Sequence, residues 1–425
     1  MQIHSEEIFK GVKLITIPSM QYKTNLISIY IKRPLDRSEV TKNSLLPYVL
    51  RSGSKELKTQ SVMVKALQEL YGSSSSVGVH KIGEKQILSF KLAYTDEKYL
   101  EEKIAGPVIR ILMDMVFEPL VEEGGFRSSY VDLEKEVLSE AILSKINNKD
   151  TYAMERLTHH MCEGEPFSIP EDGFVEDLEQ IDAQTLYAHY REVIESSEID
   201  IALAGNIDKE LVVGILRSYL EHKRGELKHI PREEIRKEID RPKEIIEKMQ
   251  VAQGKLGIGY RTDIDVRDDL YIPLTVYNVI LGGGVSSKLF LNVREKHSLS
   301  YSIGSGLEPM KSLLYIRAGI ETCDLEKAKT LIFAEVEDMK KGNITETELT
   351  NAKMYLINAI RSVNDSIWSI SDYMYMLSVQ GRDQTVEEIM DQIRAVTIDM
   401  VVEAAQKIRL DTIYFLTNDE VSNAE

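Results

Sequence analysis

The sequence predicts an α+β protein made of two homologous domains, each a mainly antiparallel sheet covered by helices on one face. Three observations carry this. Short alternating strands interleave with longer amphipathic helices. A stretch dense in charge, Glu221 to Lys248, interrupts that pattern near mid-chain. Beyond it, the same order of elements begins again. The expected limits are residues 1–220 for the first domain, 221–248 for a charged linker and 249–425 for the second domain. Each half has an ordinary domain size.

In chain order, Val12–Ile17 alternates, Ser19–Tyr22 turns, and NLISIYI (25–31) alternates again, giving strand, turn, strand. NSLLPYVLR (43–51) has a helical pattern, with Pro47 tolerable in a first turn. Ser61 opens a second helix that Gly72 closes. The serines at 73–76 read as a flexible turn. Strands follow at 75–80 and 86–94, split by a turn at Gly83. Long helices cover 96–117 and 126–162, and another at 182–195 precedes the apolar strand IDIALAGNID.

After the linker, a strand at 255–260 leads into the apolar helix 270–281, the counterpart of the one near Leu45. The helix 289–296 and strands 301–305 and 312–320 answer to helix 62–71 and strands 75–80 and 86–94. Helices at 345–380 and 386–408 precede a last strand, IYFLT. Trp368, Tyr373 and Tyr375, with Met374 and Met376, fall in a helical pattern and are expected in a core.

A net charge of −17 excludes nucleic acid as a partner, because phosphate binding needs a basic face. It suits attraction of cationic peptides, or serves solubility alone. Every long apolar run is interrupted by charge before it could span a bilayer, so no membrane segment is expected. The beginning, MQIHSEEIFKGVKLITI, has no apolar secretory core, and a cytoplasmic location is expected. Cys162 and Cys323 form no CxxC and suit a reducing compartment.

The stretch LGGGVSSKLFLNVREKHSLSY (281–301) holds the candidate site. Gly282, Gly283 and Gly284 would let another backbone approach closely. Arg294, near a helix end, and Tyr301, on the next strand, can point into one cleft. A guanidinium fork and a phenol suit carbonyl oxygens or a carboxylate. The glycine run lacks the Lys-Ser/Thr ending of a P-loop and the spacing of a dinucleotide fingerprint. A plain structural role, a tight turn with Arg294 paired to a nearby carboxylate, accounts for the same residues.

This stretch closely resembles the second-half signature of the pitrilysin/insulinase-type inverted zinc peptidases, which include the mitochondrial processing peptidase and bacterial two-subunit relatives. The resemblance implies that Arg294 and Tyr301 hold a substrate backbone opposite a zinc ion. Active members carry H-x-x-E-H on the first long helix, two histidines for zinc and a glutamate as general base. The matching positions here are Ser44, Pro47 and Tyr48, and no histidine occurs between His4 and His80. The family's third ligand, a glutamate, has three candidates, Glu134, Glu136 and Glu140. No metal ligand set remains in this chain, and no catalytic residue is assigned.

The resemblance therefore implies a non-catalytic, substrate-binding subunit of a heterodimeric metallopeptidase. Its partner would be a homologous H-x-x-E-H-bearing chain holding the zinc, and its substrate a peptide or unfolded polypeptide. Pairing of the isolated chain with itself is compatible with this. The alternative is a non-proteolytic scaffold built on a degenerate peptidase fold.

Overall fold

The computed structural model describes residues 4–221 and 223–418; His222 and both chain ends lie outside the described residues. The first half begins with β1 (His4–Phe9), β2 (Val12–Pro18) and β3 (Thr24–Pro34). Next come α1 (Val40–Arg51), α2 (Gln60–Glu69), β4 (Ser74–Ile82), β5 (Lys85–Thr95) and α3 (Ala105–Phe117). The small hairpin β6 (Val121–Glu122) and β7 (Gly125–Phe126) leads to α4 (Ser128–Ser144) and α5 (Lys149–Met161). Helices α6 (Val175–Leu178) and α7 (Ala183–Ser196), strand β8 (Glu198–Gly205) and α8 (Lys209–Leu220) complete it.

The second half runs β9 (Lys243–Lys248), β10 (Gly254–Arg261), α9 (Tyr271–Gly282), a π-helix (Phe290–Lys296), β11 (Ser302–Glu308) and β12 (Leu313–Ile320). Helices α10 (Leu325–Lys340), α11 (Glu346–Val363), α12 (Ile367–Val379), α13 (Val386–Ala395) and α14 (Ile398–Gln406) precede β13 (Arg409–Thr417).

The chain divides into two compact units that interleave along it. One comprises Met1–Leu143, Ile169–Arg232 and Val363–Thr385; the other comprises Ser144–Ser168, Glu233–Ser362 and Val386–Glu425. Helix α12, late in the chain, thus belongs with the first sheet, and α5, from the first half, belongs with the second.

The first sheet has the order β1-β2-β8-β3-β5-β4, and only the β2–β8 pair is parallel. The second has β9-β13-β10-β12-β11, with only β9–β13 parallel. Apart from β1, which has no counterpart, the two sheets follow one plan, so the restart of the pattern after mid-chain reflects a structural duplication. One member of it went unread in the sequence. Residues 243–248, taken as linker, pair with β13 and are the counterpart of β2. This strand has no buried residue, so charge outweighs the weak apolar alternation of Ile245 in its pattern.

In the first unit, Ile27, Ile29 and Ile31 of β3 pack with Leu46 and Val49 of α1 and Leu112 of α3 in one core. The opposite face of this sheet is not bare. There the Tyr30 ring stacks on Tyr375 of α12 at 3.6 Å between centroids, and the Tyr30 hydroxyl donates to Asp372 Oδ1 at 3.1 Å. Met374 is buried as its pattern predicts, whereas Trp368 is only half-buried. Ser74–Ser76 form the start of β4 rather than a turn.

In the second unit α5 lies on β10, where glycines allow close approach. A Cβ at Gly257 would stand 3.1 Å from Leu157 Cδ2, and one at Gly259 2.5 Å from Met161 Sδ. Four charges anchor the end of α5 to the sheet. Arg261, fully buried, donates through Nε to Asp411 Oδ2 at 2.7 Å and through Nη2 to Glu165 Oε1 at 2.6 Å. Lys311, also fully buried, stands 2.8 Å from Glu165 Oε2. Long helices expected at 126–162 and 345–380 each break in two. Asn148 marks the first break, its side chain accepting from Thr151 N at 3.2 Å to cap α5.

Candidate functional site

The glycine-rich stretch ends α9 and begins a turn beside β11. A Cβ at Gly282 would stand 2.6 Å from the Ser305 backbone nitrogen, and one at Gly283 2.6 Å from Val279 Cα. Those two glycines are therefore required by packing. Gly284 is not: a Cβ there would meet nothing nearer than Tyr355 at 3.9 Å. The following segment is helical, as its spacing predicts, but winds as a π-helix, a form seen mostly as short bulges and often at functional sites. Leu289 and Val293 are buried beneath it.

These elements border an open cleft of about 550 Å³ within the second unit. Gly282, Gly283, Gly284 and Arg294 all line it, together with Phe290 and Ser302–Ser305. The Arg294 side chain is 42% exposed and its guanidinium lies 4.7 Å from the centre of the Phe290 ring. Its carboxylate contact is loose, 3.7 Å from Nε to Oε1 of the adjacent Glu295. The pairing of Arg294 with a nearby carboxylate that the plain structural reading expects is thus present, but loose.

Tyr301 is placed differently. It is 64% exposed, is not among the cleft-lining residues, and donates its hydroxyl to Glu321 Oε1 at 2.9 Å. That hydrogen bond raises the phenol above its ordinary pKa. The residue next to it, Ser302, does line the cleft.

Sequence reasoning missed the other wall. Asp150 and Met154 of α5, Lys255 of β10 and Arg317 of β12 all border the same cleft. Lys255 Nζ stands 3.0 Å from Asp150 Oδ2, so those two charges offset each other. The available signal was the Gly-x-Gly of β10, which announces that something packs close without saying what.

In the first unit, positions 44–48 lie on α1, with Pro47 in the helix interior rather than its first turn. Its ring is buried, and that packing offsets the missing hydrogen bond. Ser44 Oγ lies 3.0 Å from Val40 O and 2.7 Å from Glu171 O, and accepts from Gln86 Nε2 at 3.0 Å. Burial, then the Asp172 carboxylate, pushes the Tyr48 phenol above its ordinary pKa, so it stays protonated. Of the three glutamates, only Glu134 is buried, and it accepts from Ser52 Oγ at 3.2 Å; Glu136 and Glu140 are exposed. Burial thus singles out Glu134 as the one facing α1. The hydrogen-bonded hydroxyl of Ser44 and the neutral phenol of Tyr48 do not fit zinc, and Pro47 offers no base. Among the described residues, no group of three or more His, Cys, Asp or Glu is arranged to hold a metal.

The sequence profile described as Peptidase M16 inactive domain matches residues 180–356. A Bacillus subtilis chain named as the probable inactive metalloprotease YmfF is 32% identical over 412 residues, which is 96% of each chain. This chain belongs to the M16 metallopeptidase family. The crystal structure of a conserved protein from Enterococcus faecalis superposes with a TM-score of 0.91 at 28% identity, over 100% of both chains. A peptidase M16 inactive domain from Pseudomonas fluorescens shares the fold, with a TM-score of 0.81 at 17% identity and 100% of both chains covered. Within the M16 family this chain is an inactive metalloprotease homologue, catalytically incomplete at the positions just described. Among the described residues, no helix is long and apolar enough to cross a membrane.

Proposed function

We propose that this chain is the substrate-binding, non-catalytic subunit of a cytoplasmic heterodimeric metallopeptidase acting on peptides or unfolded polypeptides. The observation that carries the reading is the cleft at Gly282–Gly284, which keeps an arginine, Arg294, beside the Phe290 ring with only a loose carboxylate contact, to Glu295. A burial-averse guanidinium left this open is suited to an incoming carbonyl or carboxylate. β11 supports the reading, since it is an edge strand and Gly306 leaves open space beside its backbone for an extended peptide. Zinc and the general base belong to the partner, a homologous H-x-x-E-H-bearing chain. Arg294 contributes positioning of the peptide.

The test is recovery of the tagged full chain from its native cell extract, with zinc-dependent peptidase activity measured in what accompanies it. The expected result is chelator-sensitive activity that requires the accompanying chain and is lost with Arg294→Ala. A chain recovered alone and inert would overturn the proposal. One observation favours the competing scaffold reading: the Tyr301 hydroxyl is already engaged by Glu321. Tyr301→Phe separates the two, since it lowers activity only if that phenol also reaches substrate.

A further inference from the structure

The cleft holds a second arginine that the family signature does not include. Arg317 lies mid-strand on β12, is exposed, and its guanidinium makes no hydrogen bond or ion pair among the described residues. Its directly opposite neighbours are Gly257 on β10 and Gly304 on β11. Opposed residues share a face of the sheet; Gly304 brings no side chain beside the guanidinium, and the space over Gly257 is filled by the uncharged Leu157 and Met154 of α5, so neither side supplies a carboxylate to pair it. The other charges at the cleft wall, Asp150 and Lys255, are spent on each other.

Two arginines therefore point free donors at one cleft in a chain whose net charge is −17. Elsewhere the molecule pairs its buried cations closely, as at Arg261 and Lys311. At about 8–10 Å screening length, the local charge of the cleft outweighs the distant acidic surface for a group that enters it.

Resting on the substrate-binding reading, we infer that Arg317 is a specificity-determining residue that selects peptides presenting a carboxylate to this cleft. The carboxylate is an Asp or Glu side chain or the peptide's own terminus; both offer the two oxygens that a guanidinium fork matches. The general acidity of the chain suggests cationic substrates, and the cleft reverses that expectation.

The experiment measures fluorescence anisotropy of short unstructured labelled peptides on the purified full chain. The peptides are identical except for a central Glu, Gln or Lys pair, each made with a free or amidated C-terminus. The parent chain is expected to favour an acidic over the matching neutral peptide by about tenfold, the size of one charge-assisted hydrogen bond. Arg317→Gln should erase that ratio while leaving the neutral, amidated peptide unchanged, and Arg317→Glu should move the preference to the Lys peptide. Arg294→Gln should weaken all peptides alike. If the ratio follows the free terminus rather than the side chain, the terminus is the source of the carboxylate. Equal binding of acidic and neutral peptides, or equal weakening of both by Arg317→Gln, would overturn this inference and leave the substrate-binding reading standing. Failure of every peptide to bind would overturn both.

Discussion

Replacing Glu165 by Gln tests what holds α5 on the second sheet. The substitution keeps the side chain's shape and removes the carboxylate that neutralises Lys311 and shares Arg261 with Asp411. Burial alone would raise this carboxyl; hydrogen bonds from Arg261, Lys311 and Lys237 outweigh it and hold the group at about 2, against 4.5 ordinarily. A displacement of that size is worth about 3 kcal/mol, and the wetted side facing Lys237 reduces it to about 2. Removing one partner of a buried pair costs about 3–5 kcal/mol by a separate route. The expected loss at neutral pH is therefore about 2–4 kcal/mol.

The pH dependence has a definite sign. The carboxyl is depressed on folding, so the unfolded chain binds more protons as pH falls from 4.5 to 2. The stabilisation is complete above 4.5 and is lost as pH drops through 2. In Glu165→Gln that part of the acid slope disappears. The only tryptophan, Trp368, lies on α12 in the other unit and is silent here. Hydrogen exchange of the amides in α5 and β10, followed through urea and acid series, reads the network directly. A variant within about 0.5 kcal/mol of the parent, the scatter of ordinary surface changes, would refute the reasoning, as would an unchanged acid slope.

Two further outcomes are expected. His189 is buried with Nε2 2.8 Å from Asn43 Oδ1, and burial, then the Arg33 guanidinium, pulls it down to about 3. It stays neutral in the fold but protonates near 6.5 when unfolded, so stability falls by up to about 1.4 kcal/mol per pH unit between 6.5 and 3. Denaturant titrations at stepped pH should show His189→Gln with a shallower slope across that window. Gly282→Ala should cost about 1–3 kcal/mol by driving a methyl into the Ser305 backbone, whereas Gly284→Ala should leave the melting temperature nearly unchanged. Calorimetry of the pair checks it, and equal effects would contradict the packing argument.

Most strands and helices were legible in the sequence because period-two and helical spacing are properties of neighbouring residues. The loss of the zinc motif was legible for a stronger reason. No fold can place an imidazole or a basic carboxylate at 44–48 when the chain carries Ser44, Pro47 and Tyr48 there. The order of elements after mid-chain also exposed the duplication, which the matching sheet orders bear out. What the sequence could not disclose were partnerships between distant segments. Burial, not spacing, separates Glu134 from Glu136 and Glu140. Pairing with β13, not its own weak pattern, makes 243–248 a strand. Glu321, twenty residues on, is a partner of the Tyr301 hydroxyl that no local pattern announces. Arg317 becomes a cleft residue only because Gly257 and Gly304 register beside it while α5, from far earlier in the chain, builds the facing wall. Local order follows from adjacent side chains, whereas a cleft is decided by which remote surfaces bury one another.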